Sequence, residues 1–253
     1  MSQTMIGRVL ALLDAVADAG AISRRDLARA TGLPPATANR IVASLLGQRL
    51  LAESPAGLRL GLRLFELGTL AGDSGVSLLD VARPYLVDLH GAFGWTSQLA
   101  VLDGDAVIYL LKVDSHRRPR LDTRVAGRFP PHCTGAGKAL LAFGPPEDAD
   151  DILGRAPLAA RTPATITDRS RLAADLRATR RRGYAVDRGE FQPGMIGVAA
   201  PVRAAVGPVA TPARAAGHPV AAVTLAGPAE SFDVPRAAHA LRIVAQIIES
   251  RLR

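Results

Sequence analysis

Apolar residues recur at intervals of three and four along the first fifty positions of the chain, which is the period of amphipathic helices. The pattern predicts three helices around a small core. The first helix presents one apolar stripe, made of Ile6, Val9, Leu10, Leu13 and Val16. The second begins at Ser23, whose hydroxyl can cap it, and buries Leu27 and Ala28. It ends at Gly32, because glycine adopts the left-handed conformation at no steric cost.

The third helix follows the pair Pro34-Pro35, which suits a helix start because the first turn does not need those N–H groups. Its predicted buried residues are spaced three and four apart: Ala38, Ile41, Val42 and Leu45. Two helices joined by a short glycine-containing turn form a helix-turn-helix, whose second helix enters the DNA major groove. Helical hairpins with small turn residues also occur in proteins that never touch DNA, so this stretch alone leaves both interpretations open.

Two short segments after the third helix alternate apolar and polar residues with the period of two that is typical of strands. They span residues 50–53 and 58–60, and Ser54-Pro55-Ala56-Gly57 forms the turn between them. A hairpin directly after a recognition helix is a wing, so the first domain is predicted to be a winged helix. The predicted DNA-contacting residues lie on the two helices of the motif and on the wing: Arg25, Pro35, Ala36, Thr37, Asn39, Arg40, Ser44 and Arg59.

A leucine-rich segment, residues 61–71, follows the wing and predicts a linker helix. The sequence Gly72-Asp73-Ser74-Gly75 interrupts it, and we place the domain boundary there. The DNA-binding domain then comprises residues 1–72, and the second domain comprises residues 73–253. An exposed leucine stripe usually packs against another protein surface. A second copy of the chain and the chain's own second domain are equally good candidates.

The second domain alternates between helical and strand periods. Helices are predicted at residues 77–93, 146–154, 169–182 and 235–252, and strands at 97–102, 106–113, 121–125, 184–187, 196–202 and 220–226. Hairpin-like pairs of strands interrupted by helices predict an α+β domain with one antiparallel sheet and flanking helices. Residues 203–219 are rich in proline, alanine and glycine, and we interpret them as a long loop without an assigned role.

A stretch of small residues, His132 to Ala142, forms a loop that opens into a helix. Its Gly-Ala-Gly-Lys sequence suggests a phosphate loop, but that motif requires glycine at the position of His132 and serine or threonine at that of Ala139. A helix start with so little side-chain bulk can still offer N–H groups to a carboxylate or phosphate. The neighbours His132 and Cys133 lack an evident acid partner, so no catalytic residue is predicted and we expect no enzyme activity.

Composition narrows the class of protein. The 253 residues suffice for two modest domains, and the formal net charge of +8 favours an acidic partner such as nucleic acid. The basic residues are spread over both halves, so charge alone does not locate the contact surface. The single cysteine excludes an internal disulfide and an all-cysteine metal site, and we predict no metal or cofactor. Because the chain shows neither a signal-peptide pattern nor a bilayer-spanning apolar run, we expect a cytoplasmic protein without membrane contact.

Four segments in this order and spacing resemble the IclR family of bacterial transcriptional regulators over essentially the full chain. They are GLPPATANRIVASLL, the wing ending in LRLGLRLFELG, HCTGAGKALLAF, and RRRGYAVDRGEFQPGMIGVAAPV followed by VAAVTLAGP. The resemblance implies a GAF-like effector-binding second domain and a homodimer or dimer of dimers. It also implies that a small organic or aromatic acid modulates binding to double-stranded operator DNA. The family contains repressors and activators, and we expect repression.

The resemblance places the effector pocket on Gly135, Ala136, Asp187, Met195, Gly197, Thr224 and Ala226. For Asp187, a hydrogen bond to the ligand and a structural capped turn are equally good interpretations. Many family members have cysteine in place of Gly197 and serine in place of Ala226. Both differences enlarge the pocket, so a larger or more apolar ligand is favoured over a small keto acid.

The recognition helix also departs from the family pattern. Ala36 replaces a common serine, which removes a potential phosphate hydrogen bond, and Asn39 occupies a place often held by an aromatic residue or histidine. We therefore expect a ligand-responsive transcriptional regulator. Two alternatives remain: a sensor without sequence-specific DNA binding, and an enzyme built on the sensor domain, for which no base–nucleophile pair is found.

Overall fold

The computed structural model describes residues 4–70, 78–116, 119–154, 157–203 and 218–252. The chain divides into two compact units, Met1–Asp73 and Ser74–Arg253. The predicted interruption at residues 72–75 and most of the predicted 203–219 loop lie outside the described residues. No helix in the described ranges is both long and apolar enough to cross a membrane.

The first unit is a winged helix followed by one further helix. Its elements are α1 (Met5–Ala19), α2 (Arg24–Thr31), α3 (Pro35–Gly47), β1 (Leu51–Ser54), β2 (Gly57–Leu60) and α4 (Leu62–Leu70). Strands β1 and β2 pair antiparallel, with Leu51 opposite Leu60. The four residues of α3 that the pattern predicts to be buried are the four that are buried.

Local signals in the sequence fix the geometry of the helix-turn-helix. The Ser23 hydroxyl oxygen accepts a hydrogen bond from the Asp26 N–H at 3.1 Å, and the hydroxyl donates to the Asp26 carboxylate at 2.7 Å. Gly32 ends α2 in the left-handed conformation with φ of 65°. These two features confirm the predicted cap and turn, and they set the entry of the chain into α3.

The predicted core stripe of α1 is partly wrong. Ile6 is 72% exposed and Leu10 is 53% exposed, whereas Leu12 and Val16 are fully buried. At 3.6 residues per turn, Leu10 lies about 140° around the helix from the line through Leu12 and Val16. The helix therefore packs through a narrow stripe, and Ile6 and Leu10 lie outside it.

The second unit contains five helices and six strands in the described residues. They are α5 (Leu78–Phe93), β3 (Thr96–Asp103), β4 (Ala106–Val113), β5 (Arg128–Phe129), α6 (Gly135–Phe143), α7 (Pro146–Gly154), α8 (Arg169–Arg182), β6 (Ala185–Arg188), β7 (Met195–Arg203), β8 (Pro219–Pro228) and α9 (Val234–Arg251). A single 3-10 turn, Ala229–Ser231, connects β8 to α9.

The six strands form one antiparallel sheet in the order β5-β4-β3-β8-β7-β6. Successive side chains of a strand point to opposite faces, so each strand serves two cores. On β3, Leu99 and Val101 pack with α5 and α9, whereas Ala100 and Leu102 pack with α6. The α+β class with helices flanking an antiparallel sheet is confirmed.

The strand predicted at residues 121–125 is wrong. Within it only Val125 forms an isolated bridge, to Tyr109, and the strand at this edge is β5. The Lys112 ammonium group donates hydrogen bonds to the carbonyl oxygens of Leu121 and Thr123, at 3.4 and 2.7 Å. A side chain thus satisfies backbone groups that a strand partner would otherwise satisfy.

Candidate functional sites

The eight predicted DNA-contacting residues are accessible on the winged helix. All are exposed except Thr37, which is half-buried. The burial of four α3 side chains on the core side leaves Asn39, Arg40 and Ser44 on the opposite, solvent-facing side. No side chain caps the start of α3, so N–H groups of its first turn remain available to a phosphate oxygen.

The arginines of the winged helix fall into two groups. Arg24 pairs with Glu53 at 2.6 Å, Arg29 with Asp26 at 3.1 Å, and Arg49 with Glu66 at 2.9 Å. Four others have no ion pair within the described part of the chain, and three of these belong to the predicted contact set: Arg25, Arg40 and Arg59, but not Arg8. Their charges are thus free to act on an external anion.

One cavity in the second unit brings together all seven predicted effector-pocket residues. Its free interior volume is about 20 Å³. The residues come from the start of α6 and from β6, β7 and β8, and five of them belong to the three strands (Asp187, Met195, Gly197, Thr224 and Ala226).

The start of α6 forms one wall of this cavity. Thr134 caps the helix by accepting a hydrogen bond from the Gly137 N–H at 3.2 Å. The N–H groups of Gly135 and Ala136, which also line the cavity, have no acceptor among the described residues. The positive end of the helix dipole therefore faces the cavity with two free donors, an arrangement suited to a carboxylate.

Glycine is required at this wall because the backbone approaches closely. A Cβ atom at Gly135 would lie 3.1 Å from the Gly197 carbonyl oxygen. At Gly137 it would lie 2.3 Å from both the Cα and the carbonyl oxygen of Pro131. The small residues that resemble a phosphate loop thus serve to pack α6 against neighbouring backbone.

Asp187 caps a turn and also lines the cavity. Its Oδ1 atom accepts hydrogen bonds from the N–H groups of Glu190 and Phe191, at 2.6 and 3.3 Å, so the side chain does cap a turn. It also lines the cavity and is 7% exposed. Burial, augmented by the Glu190 charge, raises the pKa of Asp187 to about 7 despite the opposing N–H bonds and the Lys138 charge.

A buried ion cluster behind the cavity was not predicted. Lys138 is 1% exposed, and its ammonium group lies 2.5 Å from a Glu190 carboxylate oxygen and 2.9 Å from an Asp175 oxygen. It therefore connects α6 to α8 and to the loop that follows Asp187. The signal available in the sequence was a lone lysine within an otherwise small and apolar helix face.

Arg180 holds the other end of α6. Its guanidinium group donates hydrogen bonds to the carbonyl oxygens of Ala142 and Gly144. It thus satisfies the C-terminal carbonyls of a neighbouring helix.

Several cavity residues were missed by sequence reasoning, among them Gln98, Tyr109 and Thr123. The Gln98 amide donates to the Thr123 hydroxyl oxygen at 2.8 Å, and the Thr224 hydroxyl approaches Gln98 Oε1 at 3.5 Å. Gln98 is a polar residue inside a buried strand, which was a usable signal. Thr123 lies in the segment that was mistaken for a strand.

His132 and Cys133 do not form a nucleophilic pair. His132 Nε2 lies 3.0 Å from the Ala159 carbonyl oxygen. Burial, with the charge of Asp187 adding to it, raises the pKa of the Cys133 thiol to about 12. The thiolate that nucleophilic chemistry needs is therefore scarce at neutral pH.

Among the described residues, no three His, Cys, Asp or Glu side chains are grouped so as to hold a metal ion.

Comparison with known families identifies the class of protein. Residues 6–60 match the IclR helix-turn-helix domain, and residues 74–249 match the bacterial transcriptional regulator IclR C-terminal domain. The chain therefore belongs to the IclR family of bacterial transcriptional regulators. It combines a helix-turn-helix DNA-binding domain with an effector-binding C-terminal domain.

Individual relatives agree with this assignment. The HTH-type transcriptional regulator BhcR of Paracoccus denitrificans is 34% identical over 200 residues, which are 78% of this chain and 71% of BhcR. The transcriptional repressor IclR of Escherichia coli is 32% identical over 76% of this chain and 72% of its own. The crystal structure of an IclR homologue from Microbacterium hydrocarbonoxydans, complexed with 4-hydroxybenzoate, is similar with a TM-score of 0.85 and 31% identity, over 99% of both chains.

Proposed function

We propose that this chain is a repressor whose affinity for its operator is modulated by an organic or aromatic acid bound in the cavity of the second unit. The observation that carries the proposal is the convergence of seven separated residues on one cavity, whose lining includes Gly135 and Ala136 at the start of α6. A homologue of similar fold binds 4-hydroxybenzoate, which supports an aromatic acid as the ligand class.

The remaining cavity wall suits the ring of an aromatic acid. Apolar side chains line it, among them those of Leu121, Phe191 and Met195. A Cβ atom at Gly197 would lie 3.6 Å from the Asp187 Cβ, so a longer side chain there would extend over Asp187. Glycine leaves that space free, which supports a ligand larger than a small keto acid.

Repression as the sign of regulation is supported by relatives. Besides the repressor IclR of E. coli, the acetate operon repressor of Salmonella typhimurium is 32% identical over 76% of this chain and 72% of its own. A bound ligand would act by favouring one of two conformations of the regulator. Its effect on operator binding is limited by its difference in affinity for the two.

We further propose that the regulator binds DNA as a homodimer. In the first unit, large apolar side chains are exposed on α1 and α4: Met5, Ile6, Leu10, Leu62, Phe65, Leu67 and Leu70. Such an array is typical of a protein–protein contact, and a two-fold dimer presents two recognition helices to a palindromic site. Sedimentation equilibrium at micromolar concentration is expected to give the mass of a dimer or tetramer, and a protomer mass would contradict the proposal.

For operator contact, we propose that Thr37, Asn39 and Arg40 reach the bases and phosphates of the DNA. We also propose that Arg59 on the wing reaches the DNA backbone. Arg40→Ala is expected to weaken operator binding by about 10- to 100-fold, because an arginine contact to a base or phosphate is lost. The slope of log affinity against log salt is expected to fall by about one if the contact is to phosphate. Fluorescence anisotropy with labelled operator over a salt series measures both.

Arg29→Ala is the matched control, because Arg29 is also exposed but its charge pairs with Asp26. Its operator affinity is expected to stay within about twofold of the wild type, since exposed ion pairs contribute little. Equal affinity and equal salt slope for Arg40→Ala and the wild type would favour the alternative, a sensor without sequence-specific DNA binding.

A further inference from the structure

Tyr109 is a polar residue of the cavity whose hydroxyl group has no partner. The side chain lines the cavity and the residue is 4% exposed. No hydrogen bond of its hydroxyl to another described residue is found, and its oxygen is not among the described side-chain atoms that are fully buried without a partner. The hydroxyl can therefore be reached from the cavity and is available to a ligand.

A β-bulge turns Tyr109 toward the cavity. On β3 and β4, Leu99 pairs with Leu111 but the next residue, Ala100, pairs with Tyr109, so Leu110 is an extra residue. In an unbroken register Tyr109 would stand opposite Val101, whose side chain packs with the α5 and α9 core. The bulge moves it to the face of Ala100 and α6. Bulges that re-aim one side chain are frequent beside functional sites.

Neighbouring rings fix the direction of the phenol. The Tyr109 ring lies 5.3 Å from the Phe129 ring, which in turn lies 5.6 Å from that of Phe191 in the loop after Asp187. Burial raises the pKa of Tyr109, and the charges of Asp187 and Cys133 add to the effect. The hydroxyl therefore keeps its proton and remains a donor at neutral pH.

The cavity offers hydrogen-bond donors on two of its walls. The N–H groups of Gly135 and Ala136 can be satisfied by one carboxylate, but the Tyr109 hydroxyl is a third donor from a different wall. We infer that Tyr109 contacts the ligand directly and selects acids that carry a second oxygen, such as a ring hydroxyl, besides the carboxylate. The inference rests on the proposed acid-binding function of the cavity.

Binding of benzoate and of 3- and 4-hydroxybenzoate to the wild type and to Tyr109→Phe tests this inference by calorimetry. The wild type is expected to bind the better hydroxybenzoate about tenfold more tightly than benzoate, the usual effect of one hydrogen bond. In Tyr109→Phe this preference is expected to fall below about twofold, with benzoate affinity unchanged. Tyr184→Phe, which changes a tyrosine outside the cavity lining, is expected to retain the wild-type preference.

Thermal unfolding without ligand gives a second readout. Because the hydroxyl has no partner in the folded protein, Tyr109→Phe is expected to unfold at or above the wild-type temperature. A drop of several degrees would show that the hydroxyl is bonded internally and would overturn the assignment. An unchanged hydroxybenzoate preference in Tyr109→Phe would overturn it as well, while leaving the acid-binding function intact. A wild type that binds none of the three acids would overturn both.

Discussion

Replacing Gly137 with alanine is expected to lower the free energy of unfolding by about 3 kcal/mol. The new methyl group would lie 2.3 Å from the Cα and carbonyl oxygen of Pro131, and these are backbone atoms that cannot rotate away. The first turn of α6 would have to shift. Thermal unfolding followed by circular dichroism is expected to show a midpoint about 6 to 12 °C below that of the wild type.

The same shift would displace the N–H groups of Gly135 and Ala136, so ligand affinity is expected to fall together with stability. Gly91→Ala is the matched control. Gly91 lies in α5, is exposed, and has open space around the position of a Cβ atom. Alanine there is expected to raise stability by about 0.5 to 1 kcal/mol, because glycine is a poor helix former. Equal effects of the two substitutions would contradict the close packing of α6.

Replacing Asp187 with asparagine is expected to make the protein more stable than the wild type at pH 8 but not at pH 4. The folded-state pKa of about 7 lies above the ordinary value of 3.8, so folding favours the protonated side chain. The wild type therefore loses stability as the pH rises between these values, and asparagine removes that loss. The difference of about three between the folded-state and ordinary pKa values of Asp187 corresponds to a change in the free energy of unfolding on the order of 4 kcal/mol.

Chemical denaturation of both proteins from pH 4 to pH 8 measures this difference. Asparagine retains an Oδ1 acceptor for the Glu190 and Phe191 N–H groups, so the turn is preserved. Asp168→Asn provides a control of opposite sign, because hydrogen bonds from Ser170 and the Arg171 N–H lower the pKa of Asp168. There the wild type is expected to gain on the variant as the pH rises to about 5 and to keep that gain up to pH 8. A stability difference for Asp187→Asn that is independent of pH would contradict the raised pKa.

The same titration should affect ligand binding. An anionic ligand beside Asp187 is expected to bind more weakly as the pH rises from 6 to 8, because two negative charges then share a buried cavity. In Asp187→Asn the affinity is expected to be nearly constant over this range.

The winged helix could be predicted almost completely from the sequence, because its signals are local. The Ser23 cap, the left-handed Gly32 and the spacing of the α3 core residues each act within a few positions. The failure at Ile6 and Leu10 has a physical reason. Periodicity identifies an apolar side of a helix, but the number of packing partners decides how wide the buried stripe is.

The cavity was predicted only in part. The resemblance to the family supplied the seven residues, and the helix start at Gly135 could also be recognised from its small side chains. The register of the sheet could not be predicted, so the bulge that turns Tyr109 into the cavity remained hidden. The Lys138–Glu190 pair joins positions 52 residues apart and depends on the tertiary fold.

The most direct test of the central claim is binding of the purified wild-type protein to the intergenic DNA upstream of its own gene, compared with unrelated DNA of equal length over a salt series. A regulator that uses the exposed arginines of its winged helix is expected to prefer the upstream DNA by at least about 10³-fold at physiological salt. Its affinity is expected to fall steeply as salt increases. Equal affinity for both DNAs at every salt concentration would contradict the account.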